Sequence, residues 1–261
     1  VPSAAPSPNR DPGSAARRPT TVKFLDKIDE KGVLERRFDV SCDGRSVPGI
    51  LWTPSAPETL EPRPLVLMGH GALTDKRVPY LVSLARRLVR HHGIAAASID
   101  HPEHGDRDRP DHAGAGREPW WSHTTTDETV ADWHAVVAGV QALDEVGAGP
   151  LGYFGMSQGT IFGLPFVASE PRVQVAALGL MGIAGPTSDR IAADAARITC
   201  PVLFLVQWDD ELFPRDRAFD LFTALASTDK RLHAHPGSHG AVALEELEFA
   251  ESFLAAHLLR T

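Results

Sequence analysis

The chain has 261 residues, 43% hydrophobic and 23% charged, which excludes a disordered, collagen-like or disulfide-knotted protein and is enough to bury a large core. Its 26 basic and 34 acidic residues give a net charge of −8 without long runs of one sign, so it carries neither a nucleic-acid footprint nor an acidic tail. Cys42 and Cys200 are far apart and form no Cys-x-x-Cys pair, so both are expected as free thiols; no apolar run reaches the roughly 18 residues of a membrane span.

Residues 1–20 read as a flexible tail. Pro2, Pro6, Pro8, Pro12 and Pro19 alternate with Ser, Ala, Gly and Arg, a composition that forms no ladder and buries no face. Arg17 and Arg18 precede no apolar stretch and read as a charged linker rather than an export signal. The chain begins at Val1, which leaves a removed signal peptide open; the cytoplasm is the expected location. One α/β domain is expected over 21–261.

Arg37–Val40 and Pro48–Thr53 have strand character with no helix between them, as in an antiparallel hairpin. Further apolar runs follow at Leu65–Met68, Ala95–Ile99, Leu151–Phe154, Val175–Leu180, Pro201–Val206 and Arg231–His235. From Leu65 onward these runs are almost continuously apolar, as parallel strands covered on both faces must be. Helical stripes separate them. Leu81, Leu84, Ala85, Leu88 and Val89 form one; Val130, Trp133, Val137 and Val140 form another; Leu247, Ala250, Phe253, Leu254 and Leu258 form the last. The alternation predicts an α/β fold with a mostly parallel eight-stranded sheet and helices on both faces. Two segments interrupt it. Residues 101–126 form a long loop rich in Pro, Gly, His, Asp and Arg with the pair Trp120-Trp121, and 183–199 is Ala-rich and has room for a short lid helix.

Gly155-Met156-Ser157-Gln158-Gly159 joins the strand run Leu151–Phe154 to a helix-like stretch. A Gly-x-Ser-x-Gly sequence in that context is a nucleophile elbow. It puts a serine on a sharp strand-to-helix turn, with glycines where side chains would collide and helix amides aimed at a developing oxyanion. A neutral serine needs a base, and the base needs an orienting carboxylate, expected in the chain order Ser, acid, His. The strand Pro201–Val206 runs into Gln207-Trp208-Asp209-Asp210-Glu211-Leu212-Phe213-Pro214, which offers Asp210, with Asp209 as the alternative, at a strand's C-terminal end. The strand Arg231–His235 runs into Pro236-Gly237-Ser238-His239-Gly240, which offers His239 on a loop free to reach the serine; His233 and His235 lie within the strand and read as packing groups. Oxyanion donors are expected from the amides of Gln158, just after the serine, and Ala72, in the loop Gly69-His70-Gly71-Ala72. His70 is expected to hold that loop through ring hydrogen bonds. Trp120, Trp121, Met156 and Phe213 are candidate substrate-pocket walls. His101-x-x-His104 lies in a proline- and arginine-studded stretch without a His-Glu-x-x-His helix, so no metal site is expected there.

Four segments in register resemble the α/β-hydrolase superfamily: His70-Gly71-Ala72, Gly155–Gly159, Asp210-x-x-Phe213-Pro214 and Gly237-Ser238-His239-Gly240. The resemblance covers about residues 35–260. Asp100-His101-Pro102-Glu103-His104-Gly105-Asp106-Arg107 is similar to a segment after the fourth strand in dienelactone-hydrolase-like and acyl-peptidase-like members, although this chain has serine where dienelactone hydrolases carry cysteine. The resemblance implies a cofactor-free hydrolase of carboxylic esters acting on a small molecule through an acyl-enzyme. Thioester, lactone or peptide cleavage and acyl transfer use the same parts. A catalytically silent binding protein on this fold is the reading from a different class.

Overall fold

A computed structural model describes residues 20–56, 62–107 and 121–260. The expected tail, apart from Thr20, and Trp120 lie outside the described residues. The apolar runs become strands of one sheet: β1 (Val22–Glu30), β2 (Val33–Cys42), β3 (Arg45–Pro54), β4 (Leu65–Gly69), β5 (Ala95–Ile99), β6 (Leu151–Met156), β7 (Val173–Gly179), β8 (Val202–Gln207) and β9 (Lys230–His235). Their order is β1-β2-β3-β5-β4-β6-β7-β8-β9. The first three strands and the β3–β5 contact are antiparallel, and every pairing from β5 through β4 to β9 is parallel.

The sheet has nine strands among the described residues, where the sequence predicts eight. The extra strand, β1, carries Lys23, Asp26, Lys27, Asp29 and Glu30, and eight of its nine positions are exposed. By alternation Val22, Phe24 and Ile28 fall on one face, but Asp26 interrupts them, so the period of two is weak. Backbone pairing to β2, from Val22↔Val40 to Glu30↔Val33, holds it in place. Two-residue turns close both leading hairpins. Lys31-Gly32 and Asp43-Gly44 have positive φ at every position, the mirror-image turn whose twist matches that of the strands.

Six helices cover the sheet among the described residues. α1 (Pro79–His92) and α6 (Leu244–Leu258) lie on one face; α2 (His123–Gln141), α3 (Gln158–Ser169), α4 (Ser188–Ala195) and α5 (Arg215–Ala224) lie on the other. The stripe Leu81, Leu84, Ala85, Leu88 and Val89 predicted for α1 is buried throughout. With Phe253 and Leu254 of α6 it packs on Val66, Met68, Ala96 and Phe154. On the opposite face, Trp133, Tyr153, Phe162 and Phe166 form a fully buried aromatic layer. Burying each such side chain favours the folded state by about 2–3 kcal/mol. The 183–199 segment contains α4, whose Ile191 and Ala195 are buried against the same layer. Cys42 is buried, Cys200 is half-buried, and both are free. No described helix is long and apolar enough to cross a membrane.

Candidate active site

Parallel strands end together, so the loops that leave β4, β5, β6, β8 and β9 gather at one rim of the sheet. Ser157 stands between β6 and α3 with φ 56° and ψ −120°, a left-handed conformation that a residue with a Cβ adopts only under constraint. The constraint is visible. The Ser157 amide donates to the Gly179 carbonyl at 2.9 Å, and its own carbonyl accepts from Thr160 N–H at 2.8 Å. A Cβ on Gly155 would strike the Gly159 carbonyl oxygen, and one on Gly159 would strike that of Gly69. The two motif glycines thus let α3 lie directly on β4 and β6. Tyr153 Oη locks the approach by donating to Gly159 O at 2.8 Å. Thr160 Oγ1 adds to it by accepting from Gly179 N–H at 2.9 Å.

The structure brings Ser157, His239 and Asp210 together. His239 Nε2 lies 2.9 Å from Ser157 Oγ, and His239 Nδ1 lies 2.8 Å from Asp210 Oδ2. The other carboxylate oxygen, Oδ1, accepts from the amides of Leu212 and Phe213, both at 2.8 Å. Those amides hold the carboxylate fixed, with its side chain only 3% exposed. A carboxylate only accepts, so Nδ1 carries the imidazole hydrogen. Nε2 then presents a lone pair to the serine hydroxyl.

Asp209 plays another part. Its Oδ2 accepts from Gly237 N–H at 3.2 Å, and its amide donates to Gly237 O at 3.0 Å, so it clasps the histidine loop to the acid loop. Glu211 Oε2 accepts from the His239 amide at 2.9 Å, and that hydrogen bond holds its carboxyl below the usual range.

The loop after β4 is held by His70, which is fully buried. Its Nε2 accepts from His101 N–H at 3.0 Å, so its Nδ1 must donate to Gly71 O, at 2.8 Å. Burial pushes its pKa down to about 4, which keeps this neutral tautomer in place. Tyr80 Oη accepts from Gly71 N–H at 2.9 Å, and Thr74 Oγ1 donates to Gly71 O at 2.7 Å. Ala72 follows these anchors, and Gln158 is the first residue of α3, where helix amides have no partner inside the helix.

Of the other expected pocket residues, Phe213 lies 5.7 Å from the His239 ring, centroid to centroid. Trp121 lies 6.2 Å from Phe213, and its Nε1 donates to Thr187 Oγ1 at 2.6 Å. Met156 is 5% exposed and belongs to the apolar layer beneath α1 and α6, a packing position.

Two arrangements go beyond what the sequence predicts. Lys76 is 3% exposed and donates to Asp100 and, at 2.9 Å, to Asp106. Asp100 also accepts the amides of Lys76 at 3.0 Å and Asp106 at 2.8 Å. This buried ion network ties the loop after β4 to the loop after β5. A lysine becomes buried only through partners that are distant in sequence, and no local pattern announces that. The second feature is the pair His101 and Gln158, both fully buried, which lie together without a well-formed hydrogen bond. Burial pushes the His101 pKa well below its ordinary value.

No protein-family model matches the sequence, and no curated protein does. Solved structures do. A cold-adapted esterase from an Arctic intertidal metagenomic library is 40% identical, aligning over 89% of this chain and 97% of that one with a TM-score of 0.79. An acetyl xylan esterase from Paenibacillus sp. R4 is 18% identical over 90% of this chain and 89% of its own, with a TM-score of 0.67. A putative dienelactone hydrolase from Klebsiella pneumoniae subsp. pneumoniae is 17% identical over 88% of this chain and 99% of its own, with a TM-score of 0.68. The fold is that of the α/β hydrolases. The chain belongs to the family of the cold-adapted esterase and is a carboxylic ester hydrolase.

Proposed function

We propose that this chain hydrolyses small carboxylic esters through an acyl-enzyme formed on Ser157. The observation that carries the reading is the unbroken chain of contacts from Asp210 Oδ2 through His239 to Ser157 Oγ, at 2.8 and 2.9 Å. Ser157 Oγ attacks the ester carbonyl while His239 Nε2 takes its proton. Asp210, held by two amides, fixes the imidazole and stabilises the imidazolium that forms. The amides of Ala72 and Gln158 donate to the tetrahedral oxyanion. His239 then delivers its proton to the leaving alcohol, and the acyl group remains on Ser157. In the second half-reaction His239 deprotonates a water that attacks the acyl carbonyl, and its proton returns to Ser157 as the acid departs. Phe213, beside the His239 ring, and Trp121, beside Phe213, form an apolar wall for the substrate.

A graded series of p-nitrophenyl esters tests this. The wild type should release p-nitrophenol with a clear optimum in acyl length, and Ser157→Ala should lose that turnover while keeping its circular-dichroism spectrum. Adding competing alcohols or amines shows whether water is the acceptor: a free acid as the sole product is hydrolysis, and a new ester or amide is acyl transfer.

A further inference from the structure

We propose that His91, His92 and Glu251 form a binding site for one divalent transition-metal ion of the zinc type, separate from the triad. The two histidines end α1, and Glu251 faces them from α6. His91 Nδ1 lies 2.8 Å and His92 Nε2 3.1 Å from the same oxygen, Glu251 Oε1, and all three potential ligand atoms lie within 4.8 Å of one another. Around a tetrahedral zinc with bonds of about 2.0–2.1 Å, ligand atoms stand roughly 3.3 Å apart. A metal entering there would open the two histidine–carboxylate contacts by only a few tenths of an ångström, and the two imidazole nitrogens start no more than 4.8 Å apart. Two imidazoles and a carboxylate are the donor set that such an ion selects.

The surroundings fit. The Glu251 side chain is 3% exposed, whereas those of His91 and His92 are 51% and 27% exposed. The carboxylate is therefore held rigidly, while the imidazoles can adjust and solvent can complete the coordination sphere. Arg87 donates to Glu251 Oε2, which leaves Oε1 facing the histidines, and Glu248 accepts from Arg87 at 3.2 Å on the outer side. Such an outer partner orients a ligating carboxylate. On metal binding each imidazole passes the hydrogen now directed at Glu251 to its other ring nitrogen, so its lone pair faces the ion.

The site's place in the fold separates it from the chemistry. α1 ends at Gly93, and two residues later β5 begins at Ala95; the triad loops leave the opposite, C-terminal ends of the parallel strands. A metal there would fasten α6 to α1.

The experiment titrates the EDTA-stripped full chain with Zn²⁺ by calorimetry and records the melting temperature with and without the metal, for the wild type, His91→Ala and His92→Ala. We expect one ion per chain, an affinity lowered at least about tenfold in each variant, and a zinc-dependent rise in melting temperature that both variants lose. In the absence of metal, both variants should hydrolyse esters at the wild-type rate. Equal zinc affinity in all three proteins would assign the binding to other histidines, such as His239 or the His233–His235 pair, and overturn the proposal. So would the absence of binding to the wild type.

Discussion

Two histidine–carboxylate groups lie within six residues of each other and differ in what surrounds them. On β9, His233 Nδ1 lies 2.8 Å from Glu246 Oε2 and His235 Nε2 lies 2.5 Å from Glu246 Oε1. Just beyond β9, His239 Nδ1 lies 2.8 Å from Asp210 Oδ2. The contacts are alike in chemistry and length. In the first group one carboxylate from α6 engages both rings, and His233 also packs on Phe249 at 4.3 Å between centroids. That arrangement joins a strand to the helix covering it. In the second, the chain leaves the strand through Gly237 at φ 130°, and the loop carries the imidazole across to Ser157. The carboxylate there has two backbone amides on its second oxygen. A histidine beside a carboxylate is thus common structural material. The proposed proton relay adds a strained serine on the far nitrogen and a fixed carboxylate on the near one.

Four substitutions break or sharpen this contrast. Ser157→Ala removes the proposed nucleophile and should lower kcat by about 10⁴- to 10⁶-fold, with the melting temperature nearly unchanged. Asp210→Asn keeps the shape but lets the side-chain amide favour the wrong imidazole tautomer. It should lower kcat by about 10³- to 10⁴-fold with little change in KM, as steady-state ester kinetics will record.

His70 tests a third use of the same side chain, as a neutral clamp on backbone. Its pKa in the folded protein is about 4, below the ordinary 6.5, because it is buried. Between those two values the unfolded chain binds a proton that the native protein refuses. Stability should therefore fall as the pH drops from about 6.5 towards 4, by about 3 kcal/mol, and level off below. Urea denaturation at pH 7 and pH 4.5 should show the wild type losing more stability than His70→Asn. Equal losses would remove His70 from the account. The smallest effect belongs to Glu246→Gln, which should change kcat less than about twofold and cost about 1–2 kcal/mol of stability. A large loss of activity there would erase the distinction between the two groups.

The sequence made the parallel half of the molecule readable because each constraint there is local. Continuous apolar runs marked β4 to β8, and glycines at fixed offsets marked the elbow. The chain order Ser157, Asp210, His239 follows from where strands end. β1 escaped because Asp26 interrupts its alternation and almost none of its positions is buried, and only pairing to β2 makes it a strand. Asp210 and Asp209 are adjacent carboxylates that the sequence alone leaves as first choice and alternative. The structure separates them: amides at Leu212 and Phe213 turn one carboxylate inward, while Gly237 takes the other. Lys76 and the His101–Gln158 pair stayed hidden because a polar side chain's burial is decided by partners far away in the chain.

Covalent labelling with a fluorophosphonate probe, followed by peptide mass mapping, addresses the relay most directly. A single adduct on Ser157, formed rapidly in the wild type and at least about a thousandfold more slowly in His239→Ala, is the expected outcome. Labelling at Ser157 that proceeds equally fast without the His239 imidazole, or that settles on a different residue, would contradict the account.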